Sequence, residues 1–261
     1  MKRTVLIIDP QIDFCSPAGS LYVPNSEIDI EKLCGWISHN SGKIDAIFCT
    51  QDTHLKLNIA LPEPWVNANG EHPKPFSQIT LEDAKSKQWV FQPNPEHGIW
   101  YLEELEKQGQ FPHIIWTEHC LSGSYGAEIM PELLTIIQKW ADLTGQSFSC
   151  IQKGQNPYTE HFGIFRANII LPDFPETGWN YDLIKTLSQF DEIYLAGEAR
   201  SHCVANSLAQ AIEYDMNFAQ KFILLEDCMS NVPGFEQTAS PIYEKAAALG
   251  VRSQNSNYLI S

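Results

Sequence analysis

The sequence has little positive charge and no long apolar run. Only 17 lysine and arginine residues stand against 32 aspartate and glutamate residues, which gives a net charge of −15. Nucleic acids and anionic membranes are bound through clustered basic side chains. No apolar run approaches the length of a membrane span. We therefore expect no nucleic-acid partner and no membrane partner.

The sequence predicts neither paired cysteines nor a leader segment. The seven cysteines are odd in number, widely spaced and without a CxxC pair. Met1-Lys2-Arg3 leads directly into a strand-like run that is too short for the apolar region of a signal peptide. The cysteines thus predict no disulfide framework, and a reducing cytoplasm is the expected location.

Short apolar segments alternate with segments of helical periodicity along the 261 residues. Strands that are apolar throughout and separated by helices are typical of a parallel sheet covered on both faces. The sequence therefore predicts one α/β domain over residues 1–261, a three-layer α/β/α structure with a parallel six-stranded sheet. The predicted strands are 4–8, 46–50, 114–117, 148–152, 193–196 and 222–225. Residues 251–261 are expected either to add a further strand or to pack against a partner. The predicted helices of the main alternation are 28–39, 127–142, 181–190, 237–249 and one that follows Cys203.

One long stretch, residues 57–111, interrupts this alternation. It contains six prolines and three tryptophans. A connection of this length inside a compact domain is either functional or disordered. The many aromatic residues favour packing, so we predict a folded flap with short helices at 81–87 and 100–108.

Chemically capable side chains follow the predicted strands. Asp9 ends the first strand, Asp52 and His54 follow the second, Lys153 ends a later one, and Cys203 follows the next. Each has an ordinary explanation on its own, such as a capping or turn carboxylate or a solvated lysine. Ligands of open parallel sheets, however, bind outside the carboxyl ends of the strands. Together these residues predict a functional site at the edge of the sheet where the strands have their carboxyl ends.

Cys203 is the candidate nucleophile. It follows a buried strand and a bend of small residues, and an amphipathic helix begins beside it. The free N–H groups and dipole of a helix start favour a thiolate, so the sequence predicts a lowered thiol pKa. A nearby lysine would stabilise the thiolate, and a carboxylate would carry the proton to the leaving group. The alternative is a buried cysteine that serves only as a small hydrophobe.

Five segments of the chain carry a resemblance to a known family. They are 9–15 (DPQIDFC) with 19–21 (GSL), 50–54 (TQDTH), 115–120 (IWTEHC) with Gly123 and Gly126, 153–154 (KG) and 201–204 (SHCV). In this order they resemble the motifs of the nicotinamidase and isochorismatase-like cysteine hydrolases. With the strands around them, the segments span most of the chain.

The resemblance implies a catalytic mechanism. Asp9, Lys153 and Cys203 would form a triad in which Cys203 attacks an amide carbonyl and Asp9 carries the proton to the departing ammonia. The backbone N–H groups of Ala199 and Cys203 would form the oxyanion hole, and a cis peptide is expected at Glu198–Ala199. Isochorismatases proper lack the cysteine and cleave a vinyl ether, so Cys203 disfavours that branch.

The resemblance also implies a metal site. Asp52 and His54 lie two residues apart and face the same way on an extended segment. His119 would join them from the end of the next strand. Such a set suits Zn²⁺, with Fe²⁺ or Mn²⁺ as alternatives. Asn58 stands where some members have another histidine. The competing interpretation is that His54 and His119 are loop histidines packed under the flap.

The substrate is expected to be a small amide. Phe14 and Trp116 match aromatic positions that enclose nicotinamide in the family, and flat aromatic walls suit a flat heteroaromatic ring. The implied reaction converts nicotinamide to nicotinate and ammonia through a thioester, in pyridine-nucleotide salvage. Glu198 stands where an apolar residue is usual and is expected to bind substrate or to cap backbone groups. Because of Glu198 and the long flap, a carbamoyl or ureido compound stays open as the substrate.

Two further histidines and two other classes of function compete with this interpretation. His72 lies in the flap and could reach the site, whereas His202 is too close in sequence to face Cys203 on a helix. A non-catalytic binding protein would require a broken triad. A hydrolase that uses metal-bound water would make Cys203 incidental. The resemblance also allows a homo-oligomer, although no segment identifies an interface.

Overall fold

A parallel six-stranded sheet lies at the centre of the structure, a computed structural model that describes residues 1–260. Its strand order is β5-β2-β1-β6-β7-β8, and every pair in it is parallel. A separate antiparallel pair joins β3 and β4. The strands are β1 (Arg3–Ile8), β2 (Ala46–Asp52), β3 (Trp65–Val66), β4 (Val90–Phe91), β5 (Ser149–Lys153), β6 (Glu192–Gly197), β7 (Phe222–Leu225) and β8 (Arg252–Gln254). The predicted fold class is confirmed.

Helices cover both faces of this sheet. They are α1 (Ile12–Cys15), α2 (Ser26–Asn40), α3 (Leu81–Lys85), α4 (Pro95–Lys107), α5 (Pro131–Thr144), α6 (Tyr181–Leu187), α7 (Ala205–Tyr214), α8 (Met216–Ala219) and α9 (Ser240–Ala248). No helix among residues 1–260 has the length and apolar character needed to cross a membrane.

The two faces of β1 show how the layers form. Successive side chains of a strand point to opposite faces. Val5 and Ile7 pack into one apolar cluster with residues of α2 and α5. Leu6 and Ile8 pack into a second cluster with residues of α6, α7 and α9. All four side chains are fully buried, so β1 is apolar throughout because both of its faces are covered.

One predicted strand is wrong. Residues 114–117 form no strand of the central sheet, and the sixth strand is β8, in the segment that the sequence left as a candidate. The backbone of this segment pairs with the flap instead: Ile115 N–H donates to Ser77 O, and Trp116 N–H donates to Ala60 O. Its apolar pattern therefore reflects burial against the flap and not a place in the sheet.

The flap, residues 57–111, is folded around its own apolar cluster. It contains β3, β4, α3 and α4. Trp65, Phe91 and Tyr101 are buried in this cluster. Thr80 begins α3 with a capping box to Asp83, which satisfies two backbone N–H groups at the helix start. That the flap acts as a lid stays a prediction.

Gly197, at the end of β6, permits the close approach of two strand ends. Its φ of +108° is disfavoured for residues with a side chain, and an added Cβ would lie 2.1 Å from Ile8 O. The following N–H, of Glu198, donates to that same oxygen at 2.8 Å. The absence of a side chain thus lets the chain leave β6 directly beside Asp9.

We expect Gly197→Ala to lower the free energy of unfolding by about 3 kcal/mol, because the methyl group adds backbone strain and a clash. Gly35→Ala is the matched control. Gly35 lies inside α2, where an added Cβ meets no atom within 4 Å, so this change should be neutral or stabilising. Denaturant unfolding measures both, and equal stabilities of the two variants would contradict the assignment.

Candidate active site

The carboxyl ends of four strands bring Asp9, Asp52 and Cys203 together around the ammonium group of Lys153. Lys153, the last residue of β5, places its Nζ 2.9 Å from Asp9 Oδ2 and 3.2 Å from Asp52 Oδ1. The same Nζ lies 3.0 Å from His161 O and 3.7 Å from Cys203 Sγ. All three carboxylate and ammonium side chains are buried. The predicted triad residues therefore meet at the predicted edge of the sheet.

A neighbouring hydroxyl group holds the Asp9 carboxylate, and a glycine leaves room for the carboxylate of Asp52. Thr50 Oγ1 donates to Asp9 Oδ1 at 2.5 Å, and Asp9 N–H donates back to this hydroxyl at 2.9 Å. Gly154 has a φ of +77°, and a Cβ there would lie 2.4 Å from Asp52 Oδ1. The glycine after Lys153 is thus required both by its conformation and by the space that Asp52 occupies.

Burial raises the pKa of the Cys203 thiol well above its ordinary value, although Lys153 opposes this shift. The nearby Asp9 and Asp52 carboxylates raise the pKa further. The sequence-based expectation of a lowered thiol pKa is therefore wrong. Two buried carboxylates and complete desolvation outweigh both the helix start and one ammonium group.

The protonation states favour Asp9 as the acceptor of the thiol proton. The Asp9 carboxylate lies close to the Cys203 thiol and favours its protonated form. Burial raises the pKa of Asp9, and Lys153 lowers it in part. Burial also acts to lower the pKa of Lys153, but Asp52 and Asp9 outweigh it and keep the ammonium charged. A neutral thiol thus rests beside a carboxylate that can take its proton.

Asp52, His54 and His119 are positioned together as ligands that suit a divalent metal ion. One ligand atom from each lies within 4.8 Å of the other two. His54 Nε2 is 3.1 Å from Asp52 Oδ2, and His119 Nε2 is 3.9 Å from the same oxygen. Burial lowers the pKa of His119 to about 4, with a contribution from His54, so this imidazole is neutral at physiological pH. Two imidazole nitrogens and a carboxylate are donors that suit zinc and its neighbours.

The outer nitrogens of both histidines are held by backbone or amide groups. His119 Nδ1 lies 2.7 Å from Thr117 O. His54 Nδ1 lies 3.3 Å from Gly154 O and 3.1 Å from Asn58 Nδ2. Such contacts direct the Nε2 atoms of metal-binding histidines toward the ion. Asn58 therefore supports His54 from the position where the family sometimes has a histidine.

The place of His119 in the fold differs from the sequence-based expectation. It does not follow a sheet strand, because residues 114–117 are not one. A short parallel bridge between His54 and Leu121 positions it instead. His54 N–H donates to Cys120 O, and Ser122 N–H donates to His54 O. The two histidine loops are thus connected directly.

A small, partly open apolar cavity lies above Cys203. Phe14 and Trp116 both line it, as predicted from the sequence. Ala199 lines it too, and its N–H donates to no other described residue. The peptide bond between Glu198 and Ala199 is cis, which confirms the expectation. The remaining lining residues are Leu21, Asp52, His119, Glu160, Phe162, His202 and Val232.

Glu198 does not line this cavity, so its predicted contact with substrate is wrong. Its side chain is fully buried on the other side of the chain, and Oε2 accepts a hydrogen bond from Ser230 N–H at 3.1 Å. The alternative role, capping a backbone group, agrees with this contact. His72 bonds to Trp65 O inside the flap and is not brought to the site.

His202 does line the cavity, but it does not pair with the nucleophile. Its Nδ1 lies 2.9 Å from Ser201 Oγ. Burial lowers the pKa of His202 to about 4, so the ring is neutral. The prediction that His202 does not face Cys203 in a dyad agrees with this contact.

Several site residues were not found from the sequence. Glu160 and Phe162 reach the cavity from an irregular loop that has no periodicity to reveal its orientation. Gln11 binds both backbone groups of Asp52, at 2.8 and 2.7 Å. Asp13 accepts from Cys120 N–H at 2.7 Å, beside His119. Gln11 and Asp13 belong to the first motif, residues 9–15. Their place in that motif was the only sign in the sequence that they act at the site.

Comparison with known proteins finds nicotinamidases both by sequence and by fold. No protein-family model matches the chain. The chain is 23% identical to the nicotinamidase of Saccharomyces cerevisiae over 211 residues, 81% of the chain and 82% of that protein. It is 24% identical to the nicotinamidase of Escherichia coli over 211 residues, 81% of the chain and 76% of that protein.

Solved structures share the whole fold. The yeast nicotinamidase bound to the inhibitor nicotinaldehyde superposes with a TM-score of 0.67 at 20% identity, covering 97% of this chain and 99% of the other. A Pyrococcus horikoshii pyrazinamidase in complex with zinc gives 0.58 at 18% identity, with 98% and 99% covered. The N-carbamoylsarcosine amidase of Thermoplasma acidophilum gives 0.54 at 14% identity, with both chains fully covered. At these identities the similarity establishes the fold.

The fold and the strand-end residues define a cysteine hydrolase. The similarity to curated nicotinamidases over four fifths of the chain, together with its five motifs, supports membership of the nicotinamidase and isochorismatase-like family. The protein is an amidohydrolase that acts on a non-peptide C–N bond.

Asp9→Asn should change two properties of Cys203 in opposite directions. Because Asp9 raises the pKa of the thiol, its neutral replacement should speed alkylation of Cys203 by iodoacetamide at pH 8 severalfold. Amide hydrolysis should fall by about a hundredfold or more, since the proton acceptor is lost. Peptide mass spectrometry measures the alkylation, and the exposed Cys150 in the same digest is the internal control. Slower alkylation of Cys203 in the variant would contradict this account.

His54→Ala and His119→Ala should each lose bound metal in the dialysed protein, because two remaining donors hold a divalent ion weakly. His72→Ala should retain it, since this histidine bonds within the flap. Elemental analysis compares the three variants with the unchanged protein. Stoichiometric metal in both ligand variants would exclude this site.

Proposed function

We propose that the protein hydrolyses nicotinamide to nicotinate and ammonia through a thioester on Cys203. The observation that carries the proposal is the junction of Asp9, Lys153 and Cys203 beneath a cavity with aromatic walls. Phe14 and Trp116 line this cavity, and Asp52 and His119 reach it from the metal site. A flat heteroaromatic amide suits such a space.

Acylation begins with proton transfer to Asp9. Cys203 Sγ attacks the carbonyl carbon while its proton passes to the Asp9 carboxylate. The negative charge that develops on the carbonyl oxygen is stabilised by the N–H of Ala199, and by the N–H of Cys203 as the family resemblance implies. Asp9 then gives its proton to the leaving nitrogen, which departs as ammonia and leaves an acyl thioester.

Deacylation uses the same groups in reverse. Asp9 accepts a proton from a water molecule that attacks the thioester carbon, and the thiolate leaves and regains this proton. Lys153 stays charged between Asp9 and Asp52 throughout. Its positive charge offsets the repulsion between the two carboxylates and compensates the charge that passes between Sγ and Asp9.

Zn²⁺ is our proposal for the metal. Two imidazoles and one carboxylate are a ligand set known from catalytic zinc sites, and the related pyrazinamidase was solved in complex with zinc. When bound, the ion supplies a Lewis acid beside the cavity that suits a ring nitrogen of the substrate. A cytoplasmic location, which the seven free cysteines support, and a homo-oligomer remain predictions.

A carbamoyl or ureido amide is the second candidate substrate. The fold similarity to an N-carbamoylsarcosine amidase supports it. The shape of the cavity favours the first candidate, because its walls are mostly aromatic and aliphatic and offer little to a charged carboxylate.

The deciding measurement is ammonia release from nicotinamide and from N-carbamoylsarcosine by the metal-loaded protein. We expect turnover of nicotinamide, and its near-complete loss in Cys203→Ala with metal content unchanged. Full activity of Cys203→Ala would show that metal-bound water is the nucleophile. Release from N-carbamoylsarcosine alone would select the second candidate, and release from neither would overturn both substrates.

A further inference from the structure

Two acidic side chains meet in the interior behind the cavity. Glu198 is fully buried, and Asp29 of α2 is 6% exposed. Ser230 connects them: its N–H donates to Glu198 Oε2 at 3.1 Å, and its hydroxyl donates to Asp29 Oδ2. The catalytic steps described above use neither carboxyl group.

The surroundings of the two carboxyl groups favour a single proton held between them. No protein donor reaches Glu198 Oε1, and the group that lies within hydrogen-bonding range is the Asp29 carboxyl, which is also an acceptor when ionised. Burial, and then Asp29, raise the pKa of Glu198 well above its ordinary value. Burial raises the pKa of Asp29 too, while its hydrogen bonds to Ser230 and Glu198 lower it. Glu198 is therefore the neutral acid that donates to the Asp29 carboxylate.

This pair is attached to the loop that carries the candidate oxyanion hole. Glu198 directly precedes Ala199, whose N–H is available at the cavity. Two further hydrogen bonds continue from Ser230 along the same two segments, Arg200 N–H to Ser230 O at 2.7 Å and Val232 N–H to Ser201 Oγ at 3.0 Å. Residues 198–201 are thus fixed to residues 230–232, and through Asp29 to α2.

We propose that protonated Glu198 is a positioning residue, which holds the Ala199 N–H in place for the oxyanion and loses this hold when it ionises. An ionised Glu198 could no longer donate to Asp29, and two adjacent buried carboxylates would repel each other. The segment 198–201 would then lose its anchor to α2. The catalytic readout of this proposal rests on the proposed hydrolysis of nicotinamide.

The other charged and titratable groups around the pair relieve this repulsion only in part. Glu27 and Asp227 add negative charge near Glu198 and Asp29, respectively, and Lys32 is the positive group that acts on Asp29. Cys15 and Tyr243 also face Glu198. Burial raises the pKa of both groups, and Glu198 adds to this shift, so they stay neutral.

Glu198→Gln and Glu198→Leu test the proposal. A glutamine amide can donate to Asp29 and accept from Ser230, as the neutral acid does, but it cannot ionise. Glu198→Gln should therefore keep the kcat for nicotinamide near neutral pH and retain activity at alkaline pH where the unchanged protein declines. Glu198→Leu should lower kcat by about tenfold or more with KM little changed, since a misplaced oxyanion donor affects the transition state. Glu82→Gln, an exposed change on α3, is the control.

Two outcomes would overturn the proposal. One is an alkaline decline in Glu198→Gln identical to that of the unchanged protein. The other is a folded Glu198→Leu with full kcat. If the leucine variant does not fold, the pH profile of the glutamine variant still decides. Binding of nicotinaldehyde gives a check without turnover, because its thiohemiacetal oxygen would use the same N–H; it should weaken in Glu198→Leu and not in Glu198→Gln.

Unfolding as a function of pH separates this proposal from the proposed function. A buried acid with a raised pKa binds its proton more tightly in the folded state, so stability falls as pH rises from the ordinary glutamate range toward the raised pKa. The unchanged protein should lose stability relative to Glu198→Gln over this window. Parallel stability curves would disprove the shared proton even if nicotinamide proved not to be the substrate.

Discussion

The buried ammonium group of Lys153 connects every part of the site. It contacts Asp9 of the triad and Asp52 of the metal site, and it lies 3.7 Å from Cys203 Sγ. A lysine without partners would be costly at this depth, and removing either carboxylate would leave charge uncompensated. One cation therefore makes the catalytic group and the metal group parts of a single electrostatic unit. Two carboxylates against one ammonium still leave a negative balance, which a divalent cation bound by His54 and His119 would offset.

The same balance explains the resting state of the nucleophile. In the sequence, Cys203 stands beside a helix start and is expected near a lysine, both of which favour a thiolate. In the folded protein the thiol is also fully buried and lies near two carboxylates, and these raise its pKa. The thiol proton is thus transferred during the attack and not before it. A neutral thiol paired with Asp9 is also protected from unwanted reactions until a substrate fills the cavity.

The flap influences the cavity indirectly. None of the residues that line the cavity belongs to 57–111. The flap instead holds Trp116 from behind: Ala60 O accepts from its backbone N–H at 2.8 Å, and the Phe76 ring meets the indole edge-on at 6.1 Å between centroids. Selection of substrate therefore depends on core loops, while the flap sets the position of one aromatic wall.

By itself, the sequence determined the parallel sheet and the chemistry at its edge. Buried strands are uniformly apolar, and the residues that follow Ile8 and precede Gly154 stand at strand ends because strand termini are locally encoded. Only the tertiary structure decided where irregular segments go. Residues 114–117 pair with the flap, Glu160 enters the cavity, and Glu198 turns away from it toward Asp29. These outcomes depend on contacts between residues far apart in sequence, and no local periodicity reports which side of a loop will be buried or against what.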